Sequence, residues 1–270
     1  MEKHSAIFRR EGNFVRFDQY GLKLSISEDI SDAEYYLWLD ETIAHLSEMV
    51  SGGAIVEKDD ARTKPRYNMG VYYDTADYRL LRDRMVLRTT CNPITHAFCA
   101  FKYGQNENQV MRDHRHIFEG TEKLTIQQDP ISEEAVAIVR NLLRREDIMH
   151  PGIVLRQATG ITADELTPAL LLMQYRKTFY VLLDEEDALR CSLDRVAATH
   201  LRVSAEMRVT KTFSEVEIPV YPRIKEHVAS DPRVEQLITA LSGSLIARFG
   251  TNVIQESKYQ RAATALGIGG

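Results

Sequence analysis

Charged side chains recur at every second position along several segments of this sequence, and their types suit the binding of a polyanion. On a β-strand, residues two apart share a face, so each segment presents its charges together. The basic and imidazole side chains of this pattern are Arg88, Lys102, Arg112, His114, His116, Arg176 and Arg190. Guanidinium groups bind phosphate oxygens in pairs, and a lysine ammonium acts as a point charge. If these strands enclose a cavity, the pattern predicts a site for phosphate groups.

Acidic side chains follow the same alternation on two later segments. Glu215 and Glu217 are two residues apart, and Asp194 lies on the preceding segment. Carboxylate oxygens are the ligands that Mg²⁺ and Mn²⁺ prefer, so Glu215 and Glu217 predict a metal site, although a solvated strand face is the alternative. His114 and His116 also have the spacing of a two-histidine metal site. No third ligand is evident for them, and we favour phosphate-facing or surface histidines.

The elements that must position these side chains come in groups. Alternating apolar residues predict strands over 67–73, 86–90, 98–103, 112–118, 170–183, 190–196, 201–209, 213–220 and, at the end, 253–259. Apolar residues three and four apart predict helices over 31–50, 132–145 and 231–249. We predict an α+β fold: a closed or nearly closed antiparallel β-barrel of about eight strands with amphipathic helices packed outside. Residues 1–270 are predicted as one domain with a helical insertion around 130–168.

Two arrangements of the sheet fit the alternation. In one, apolar residues such as Leu87, Phe101 and Leu193 face a core and the charged face is solvated, as in a sheet domain that binds a protein partner. In the other, the barrel closes around the charged face and the helices cover its apolar outside. Three amphipathic helices need an apolar surface to cover, so we favour the second arrangement.

Several motifs, taken together and in order, resemble one superfamily. They are Tyr72-Tyr-Asp-Thr-Ala-Asp-Tyr-Arg-Leu-Leu-Arg, Val86-Leu-Arg, Phe101-Lys, Ser192-Leu-Asp-Arg-Val and Ser214-Glu-Val-Glu-Ile. This set resembles the CYTH superfamily, the triphosphate tunnel metalloenzymes. The closing Ser257-Lys-Tyr is similar to the related polyphosphate-polymerase branch, the vacuolar transporter chaperone (VTC) domain. The resemblance implies an eight-stranded antiparallel tunnel, a triphosphate, polyphosphate or nucleotide substrate, and Mg²⁺ or Mn²⁺ as cofactor.

Carried over by position, the resemblance gives roles to individual residues. The implied phosphate ligands are Arg88, Lys102, Arg112, Arg176 and Lys258, and the implied metal ligands are Glu215 and Glu217. Asp194 is implied to bind metal or orient water, and Lys23 matches the lysine of the family's opening strand, so Lys23, Asp194 and Lys258 are the predicted catalytic residues. The implied activity is metal-assisted hydrolysis or phosphoryl transfer on a triphosphate-bearing substrate, with a class IV adenylate cyclase-like activity as an alternative.

The chain departs from the family pattern at several acidic positions. Gln19-Tyr-Gly-Leu-Lys23 replaces the opening Glu-x-Glu-x-Lys, and Arg112-Asp-His-Arg-His116 replaces a strand that often reads Arg-x-Glu-x-Glu. Thr90 stands where a second arginine is common. The affinity for a hard divalent ion depends on the number of anionic ligands. The loss of four carboxylates therefore predicts an altered metal site or, as an alternative function, a nucleotide- or polyphosphate-binding module without turnover.

The composition limits the classes of partner. The 270 residues carry 34 Lys and Arg against 39 Asp and Glu, a formal charge of −5, which argues against a nucleic-acid partner. No apolar run approaches the ~20 residues of a membrane span, and no secretory signal is visible. The three cysteines form no disulfide or zinc pattern, so we predict a cytoplasmic protein. The sequence leaves a homodimer open.

Overall fold

The computed structural model describes residues 8–57, 66–104 and 111–268. Twelve strands occur in these ranges: β1 (Phe8–Glu11), β2 (Phe14–Gln19), β3 (Gly21–Ile26), β4 (Gly53–Val56), β5 (Arg66–Asp74), β6 (Val86–Cys91), β7 (Ala97–Tyr103), β8 (Met111–Ile117), β9 (Thr167–Leu183), β10 (Glu186–His200), β11 (Thr210–Pro219) and β12 (Asn252–Val253). They form one sheet in the order β1-β2-β8-β7-β6-β5-β9-β10-β11-β3-β12, with β4 beside β9. The main pairs, such as β9 with β10 and β10 with β11, are antiparallel.

A single residue joins β2, near one end of this sheet, to β3, near the other end. β2 pairs with β8, β3 pairs with β11, and Tyr20 alone separates β2 from β3. The sheet therefore curls into a nearly closed barrel, and the predicted architecture is confirmed. The bend requires a glycine: Gly21 has a φ of +148°, and a Cβ there would lie 2.4 Å from the carbonyl oxygen of Ile218.

The helices cover the outside of the barrel. They are α1 (Asp32–Met49), α2 (Arg79–Arg82), α3 (Gly120–Gln128), α4 (Glu133–Arg144), α5 (Pro151–Thr159), α6 (Glu226–Ala229), α7 (Arg233–Phe249) and α8 (Lys258–Ala265). α1 and α7 bury Trp38, Leu46 and Leu241 against one half of the sheet. α4 and α5 bury Val139 and Leu155 against the other half. Burial of each such side chain stabilises the fold by roughly 1.5–3 kcal/mol. Most of the apolar core lies between these helices and the outer face of the barrel.

A closing strand was predicted over 253–259, but β12 ends at Val253 and α8 begins at Lys258, so most of that prediction is wrong. Ser257 accepts a hydrogen bond from the N–H of Gln260, whose side chain accepts one from the Ser257 N–H. This capping box starts a helix at the next residue. Tyr259 and Ala262 of α8 then pack against apolar side chains of the barrel's inner face, which are Tyr72, Leu170, Leu172, Val196 and Phe213. The helix therefore fills part of one end of the lumen.

Residues 201–209, also predicted as a strand, instead form a turn and a short 3-10 helix (Ala205–Met207). Arg202 explains the difference, because its guanidinium donates to the carbonyl oxygens of Asp74 and Thr75 at 2.6 and 2.8 Å and holds the segment against the end of β5. Within the described ranges, no helix is long and apolar enough to cross a membrane.

Candidate functional site

The lumen of the barrel holds two cavities that meet. The narrower one has a volume of about 130 Å³, and the wider one has a volume of about 450 Å³. Six residues line both: Gln19, Arg88, Arg115, Arg176, Glu217 and Pro219. The cavities are therefore two parts of one tunnel, and the wider part has the size of a small-ligand site.

One buried carboxylate in the tunnel wall is shared by two cations. Lys102 Nζ lies 3.0 Å from Asp113 Oδ2 and 2.9 Å from Gln19 Oε1. Arg115 donates from Nε and Nη2 to the two oxygens of the same carboxylate, at 3.0 and 2.7 Å. The register of β7 and β8 pairs Lys102 directly with Asp113 and so brings these groups together. The single carboxylate of Asp113 thus forms ion pairs with both Lys102 and Arg115.

The surplus positive charge acts on the pKa of Lys102. Burial lowers this pKa to about 7, and the guanidinium groups of Arg88 and Arg115 add to the effect against the opposing pull of Asp113. For Asp113, burial favours the protonated form, but Arg115 and Lys102 outweigh burial and hold the pKa well below its usual range. Asp113 is therefore ionised at neutral pH, whereas Lys102 is poised to titrate there.

Positive charge dominates the wider cavity. Among the described residues, one carboxylate, that of Glu217, lines it together with seven arginines: Arg10, Arg66, Arg88, Arg115, Arg176, Arg190 and Arg223. Arg88 donates to the hydroxyl of Tyr72 at 3.0 Å. Burial lowers the pKa of Arg190, and the nearby charges of Arg176 and Arg66 add to the shift. The wider cavity is therefore a chamber whose positive charge the lining carboxylate does not balance.

Three buried carboxylates from neighbouring strands form a cluster beside the tunnel. Asp194 on β10 and Glu215 and Glu217 on β11 have oxygens within 4.8 Å of one another, and the pairing of Asp194 with Glu215 sets their position. The ammonium of Lys258, at the start of α8, lies 2.9 Å from Asp194, 2.5 Å from Glu215 and 2.6 Å from Glu217. A single lysine therefore contacts every carboxylate of this acidic cluster.

Two arginines complete the neutralisation of the acidic cluster. Arg176 donates to both oxygens of Asp194 at 2.7 and 2.6 Å and to Glu217 at 2.7 Å. Arg261 of α8 donates to Glu215 at 2.8 Å. Burial alone would raise the pKa of Glu217, but Lys258 and Arg176 hold it well below its usual range. Three carboxylates therefore face three protein cations, and their formal charges sum to zero.

The predicted Mg²⁺ or Mn²⁺ at Glu215 and Glu217 can be tested against this arrangement. The donors suit such an ion, because carboxylate oxygens are its preferred ligands. The position does not suit it, because the Lys258 ammonium already lies within 3 Å of all three carboxylates. A divalent ion there would add two charges to a buried group that is already neutral. In this arrangement the cluster does not fit a divalent metal ion.

Nine of the twelve predicted site residues lie at the lumen. Those that line the cavities are Lys23, Arg88, Lys102, Arg176, Arg190, Glu217 and Lys258, and Asp194 and Glu215 contact Lys258 directly. Lys23 pairs with Glu217 across β3 and β11, and its charge helps to lower the pKa of Glu217. The predicted residues of six strands and α8 thus converge on one tunnel, while their individual roles stay predictions.

Arg112, His114 and His116 do not reach the lumen, so the orientation predicted for β8 is wrong. Arg112 is exposed, and the alternate residues Asp113 and Arg115 point inward. The strand carries polar side chains on both faces, so alternation alone does not choose between them. The cross-strand partner identifies the inward face of β8. Lys102 on β7 needs an acid opposite it, and Asp113 is the acid of β8.

Packing on the outer face accounts for the two histidines of β8. The ring of His114 stacks on those of Phe14 and Tyr103, with centroids 5.8 and 5.6 Å away. The ring of His116 meets Phe118 edge-on at 5.4 Å. Burial lowers the pKa of His116 to about 4 and also lowers the pKa of His114. Both histidines are therefore neutral packing residues at pH 7.

No protein-family model and no curated protein matches this sequence, but solved structures share its fold. A candidate adenylate cyclase from Bacillus halodurans matches with a TM-score of 0.50 at 12% identity, over 90% of this chain and 97% of that one. A candidate adenylyl cyclase from Hippeastrum, described as having a dominant triphosphatase activity, matches with a TM-score of 0.50 at 13% identity, over 93% and 96%. The likeness shows the fold that this chain shares with them. Neither neighbour bears on the polymerase branch.

Proposed function

We propose that the tunnel binds the triphosphate group of a nucleotide, inorganic triphosphate or polyphosphate and processes it by hydrolysis or phosphoryl transfer. The observation that carries this proposal is the lining of the wider cavity, with seven arginines and one carboxylate. Arg115 and Arg176 are paired with buried carboxylates, and Arg10, Arg66 and Arg223 are exposed, so Arg88 and Arg190 are the buried or half-buried guanidinium groups without a carboxylate partner among the described residues. Such groups call for an anion, and guanidinium forks match phosphate oxygens. The triphosphatase activity described for the Hippeastrum protein supports a triphosphate as that anion.

The distribution of cations along the tunnel supports a linear phosphate chain. Arg66 and Arg190 line the wider cavity alone, Lys23, Lys102 and Lys258 line the narrower one alone, and Arg88 and Arg176 line both. A chain of phosphates entering from the wider cavity would meet guanidinium groups first and ammonium groups last. Catalysis in such a site comes mainly from positioning and from stabilising the charge of the transferring phosphoryl group.

Mg²⁺ or Mn²⁺ enters this proposal as a companion of the substrate. Triphosphates bind such ions through their own oxygens, and Glu217 is the member of the acidic cluster that lines both cavities. A cytoplasmic location is also part of the proposal, because nucleotides are abundant there and the three cysteines are free and buried.

A binding module without turnover is the second candidate function. Two features favour it: Lys258 lies in the acidic cluster, and Gln19 and Gly21 stand where the family's opening strand carries acids. Such a module would sense a nucleotide or polyphosphate. The cyclase names of both structural neighbours make cyclisation of ATP a further reaction to monitor.

A combined binding and turnover assay tests these functions. The protein is given inorganic triphosphate, ATP or long-chain polyphosphate with Mg²⁺, Mn²⁺ or EDTA. Binding is measured by calorimetry, and phosphate, pyrophosphate and cyclic AMP are quantified. Absence of binding to all three compounds would show the proposal to be wrong, and binding without any product would select the binding module.

A matched pair of variants checks that binding occurs in the tunnel. Arg88→Gln removes a guanidinium from the lumen, and Arg112→Gln removes one from the outer face of β8. A charge-assisted hydrogen bond contributes about 1.5–3 kcal/mol, so we expect Arg88→Gln to weaken triphosphate binding by roughly tenfold or more. Arg112→Gln is expected to change binding by less than about twofold. Equal effects of the two changes would place the binding outside the tunnel.

A further inference from the structure

We propose that the Lys258 ammonium is the resident cation of the acidic cluster of Asp194, Glu215 and Glu217. The tunnel would then bind its phosphate ligand with no metal ion at these three carboxylates. The identity of the ligand rests on the function proposed above, whereas the occupancy of the cluster rests on the contacts of Lys258 alone.

Three carboxylates surround the Lys258 ammonium, which donates a hydrogen bond to Glu217 Oε1 and forms ion pairs with Asp194 and Glu215. An ammonium group has three N–H donors and no acceptor. Lys258 Nζ lies within 3 Å of one oxygen from each carboxylate, namely Asp194 Oδ2, Glu215 Oε1 and Glu217 Oε1. The residue is 8% exposed, so solvent offers few competing partners. Lys258 therefore has a complete set of anionic neighbours before any ligand enters.

Each carboxylate oxygen of the acidic cluster lies beside a protein cation. Lys258 contacts one oxygen of each acid. Arg176 contacts Asp194 Oδ1 and Glu217 Oε2, and Arg261 contacts Glu215 Oε2. Each of the six oxygens thus has a protein cation within 3 Å, and the contact of Lys258 with Glu215 Oε1 is an ion pair without a hydrogen bond. A divalent ion takes six or more oxygen ligands, so it would have to displace several of these ion pairs.

The bend between β2 and β3 offers no replacement ligands. Gln19 and Gly21 both line the narrower cavity. Gln19 Oε1 already accepts a hydrogen bond from Lys102 at 2.9 Å. A Cβ on Gly21 would lie 2.4 Å from the backbone oxygen of Ile218, so no acidic side chain fits at this position. The absence of an acid at position 21 is therefore built into the closure of the barrel.

The backbone around Lys258 is anchored on both sides. Ser257 caps α8 through its bond with Gln260. The ring of Tyr259 stacks on Tyr72 at a centroid distance of 5.2 Å, and its hydroxyl donates to Asp74 at 2.8 Å. The ammonium thus projects from a fixed helix start, and it occupies the acidic cluster for as long as α8 is folded.

Binding of Mn²⁺ to the protein without a phosphate ligand tests this inference directly. Electron paramagnetic resonance of free Mn²⁺ reports the bound fraction without any activity. We expect no site at the cluster of the wild-type protein. Lys258→Met leaves three carboxylates with two cations and is expected to gain one Mn²⁺ site, at least roughly tenfold tighter than any wild-type binding. Adding Glu215→Gln to Lys258→Met should remove that site.

The controls make each outcome decisive. Lys225→Met removes an exposed lysine that pairs with Glu186 and should gain no Mn²⁺ site. A wild-type Mn²⁺ site that Glu215→Gln abolishes would overturn the inference, and so would a folded Lys258→Met protein that gains no site. If Lys258→Met does not fold, the comparison of wild type with Glu215→Gln decides alone. A Mn²⁺ site that is present in the wild type and lost in Glu215→Gln contradicts the inference. The absence of a Mn²⁺ site from both proteins supports it.

A ligand-binding measurement separates this inference from the proposed function. Inorganic triphosphate is titrated into the wild-type protein in EDTA and in Mg²⁺. We expect binding in both, with dissociation constants within roughly tenfold of each other. Binding in Mg²⁺ alone that Glu215→Gln abolishes would overturn the inference and leave the proposed function standing, whereas binding in Mg²⁺ alone that survives Glu215→Gln would assign the ion to the substrate and support the inference. Binding in neither would overturn the proposed function, and the Mn²⁺ measurement would still decide the occupancy of the cluster.

Discussion

The hydroxyl of Tyr259 donates a 2.8 Å hydrogen bond to the carboxylate of Asp74, a residue 185 positions away in the sequence. Asp74 also accepts hydrogen bonds from the backbone N–H groups of Leu80 and Leu81 in α2. One buried carboxylate thus fastens α8 to the turn that follows β5. The position of the Lys258 ammonium depends on this contact, because Lys258 is the first residue of α8.

Tyr259→Phe is expected to lower the free energy of unfolding by about 1–3 kcal/mol, because it leaves a buried acceptor of Asp74 with one partner fewer. Urea denaturation measures the change. Tyr67→Phe is the matched control, since the Tyr67 hydroxyl is exposed and contacts the sulfur of Met173. Its effect should stay within about 0.5 kcal/mol. Similar losses in the two variants would show that the Asp74 contact does not anchor α8.

Lys102 is expected to make phosphate binding depend on pH near neutrality. Its pKa is lowered to about 7, so the ammonium is charged below that pH and loses its proton as the pH rises through it. The affinity for inorganic triphosphate should therefore fall between about pH 6 and pH 8, by roughly tenfold more in the wild type than in Lys102→Met. Calorimetry at each pH measures this, and the comparison cancels the titration of the ligand. Parallel pH profiles would contradict the assignment.

Neighbouring residues of β8 should differ sharply in their effect on binding. Arg115 lies in the tunnel between the rings of Phe17 and Phe98, 4.5 and 4.6 Å from their centroids, whereas His114 packs on the outer face. Arg115→Gln is expected to weaken triphosphate binding by roughly tenfold or more, and His114→Gln by less than about twofold. Circular dichroism confirms that each variant is folded before calorimetry. A larger effect for His114→Gln would reverse the orientation of this strand.

Asp113→Asn should make the thermal stability of the protein depend more strongly on bound triphosphate. The change removes the negative charge shared by Lys102 and Arg115. The pKa of Lys102, already lowered to about 7, falls further without Asp113, and Arg115 loses its buried carboxylate partner, so we expect a loss of about 3–5 kcal/mol. A triphosphate would replace the missing charge, so its addition should raise the melting temperature of the variant more than that of the wild type. Thermal unfolding with and without triphosphate measures both effects.

Asp164→Asn is the control for that experiment, because Asp164 pairs with Arg144 at the surface. A surface ion pair contributes about 1 kcal/mol or less, and its loss should not change the response to triphosphate. Equal stabilisation of Asp113→Asn and wild type by triphosphate would mean that the ligand does not approach Lys102 and Arg115.

Strand alternation predicted those parts of the site in which the two faces of a strand differ clearly. On β9 and β10, Arg176 and Asp194 alternate with Tyr175 and Leu193, which face outward, and both predicted side chains lie at the lumen. On β8 both faces are polar, so the period of two gave no preference. The inward face there is determined by Lys102 on a different strand, and such pairing depends on register rather than on local sequence.

The role of α8 shows a second limit of prediction from sequence. The capping residues Ser257 and Gln260 are a local signal for a helix, and that signal was available. The contact of Lys258 with the three carboxylates is not local, because it requires the tertiary placement of α8 against β10 and β11. A sequence shows which charges are present, but charge compensation is decided by the fold.

The closure of the barrel has a consequence for the order of folding. β3 joins β11, and Tyr20 reaches Glu235 across 215 residues, whereas β5 to β8 are neighbours in both sequence and sheet. Contacts between distant segments form late, because the entropy of closing a long loop is lost before they stabilise the chain. We therefore expect the pairing of β3 with β11, which places Lys23 opposite Glu217, to be among the last contacts to form. Closure of the barrel then dehydrates charged side chains of the lumen rather than an apolar core.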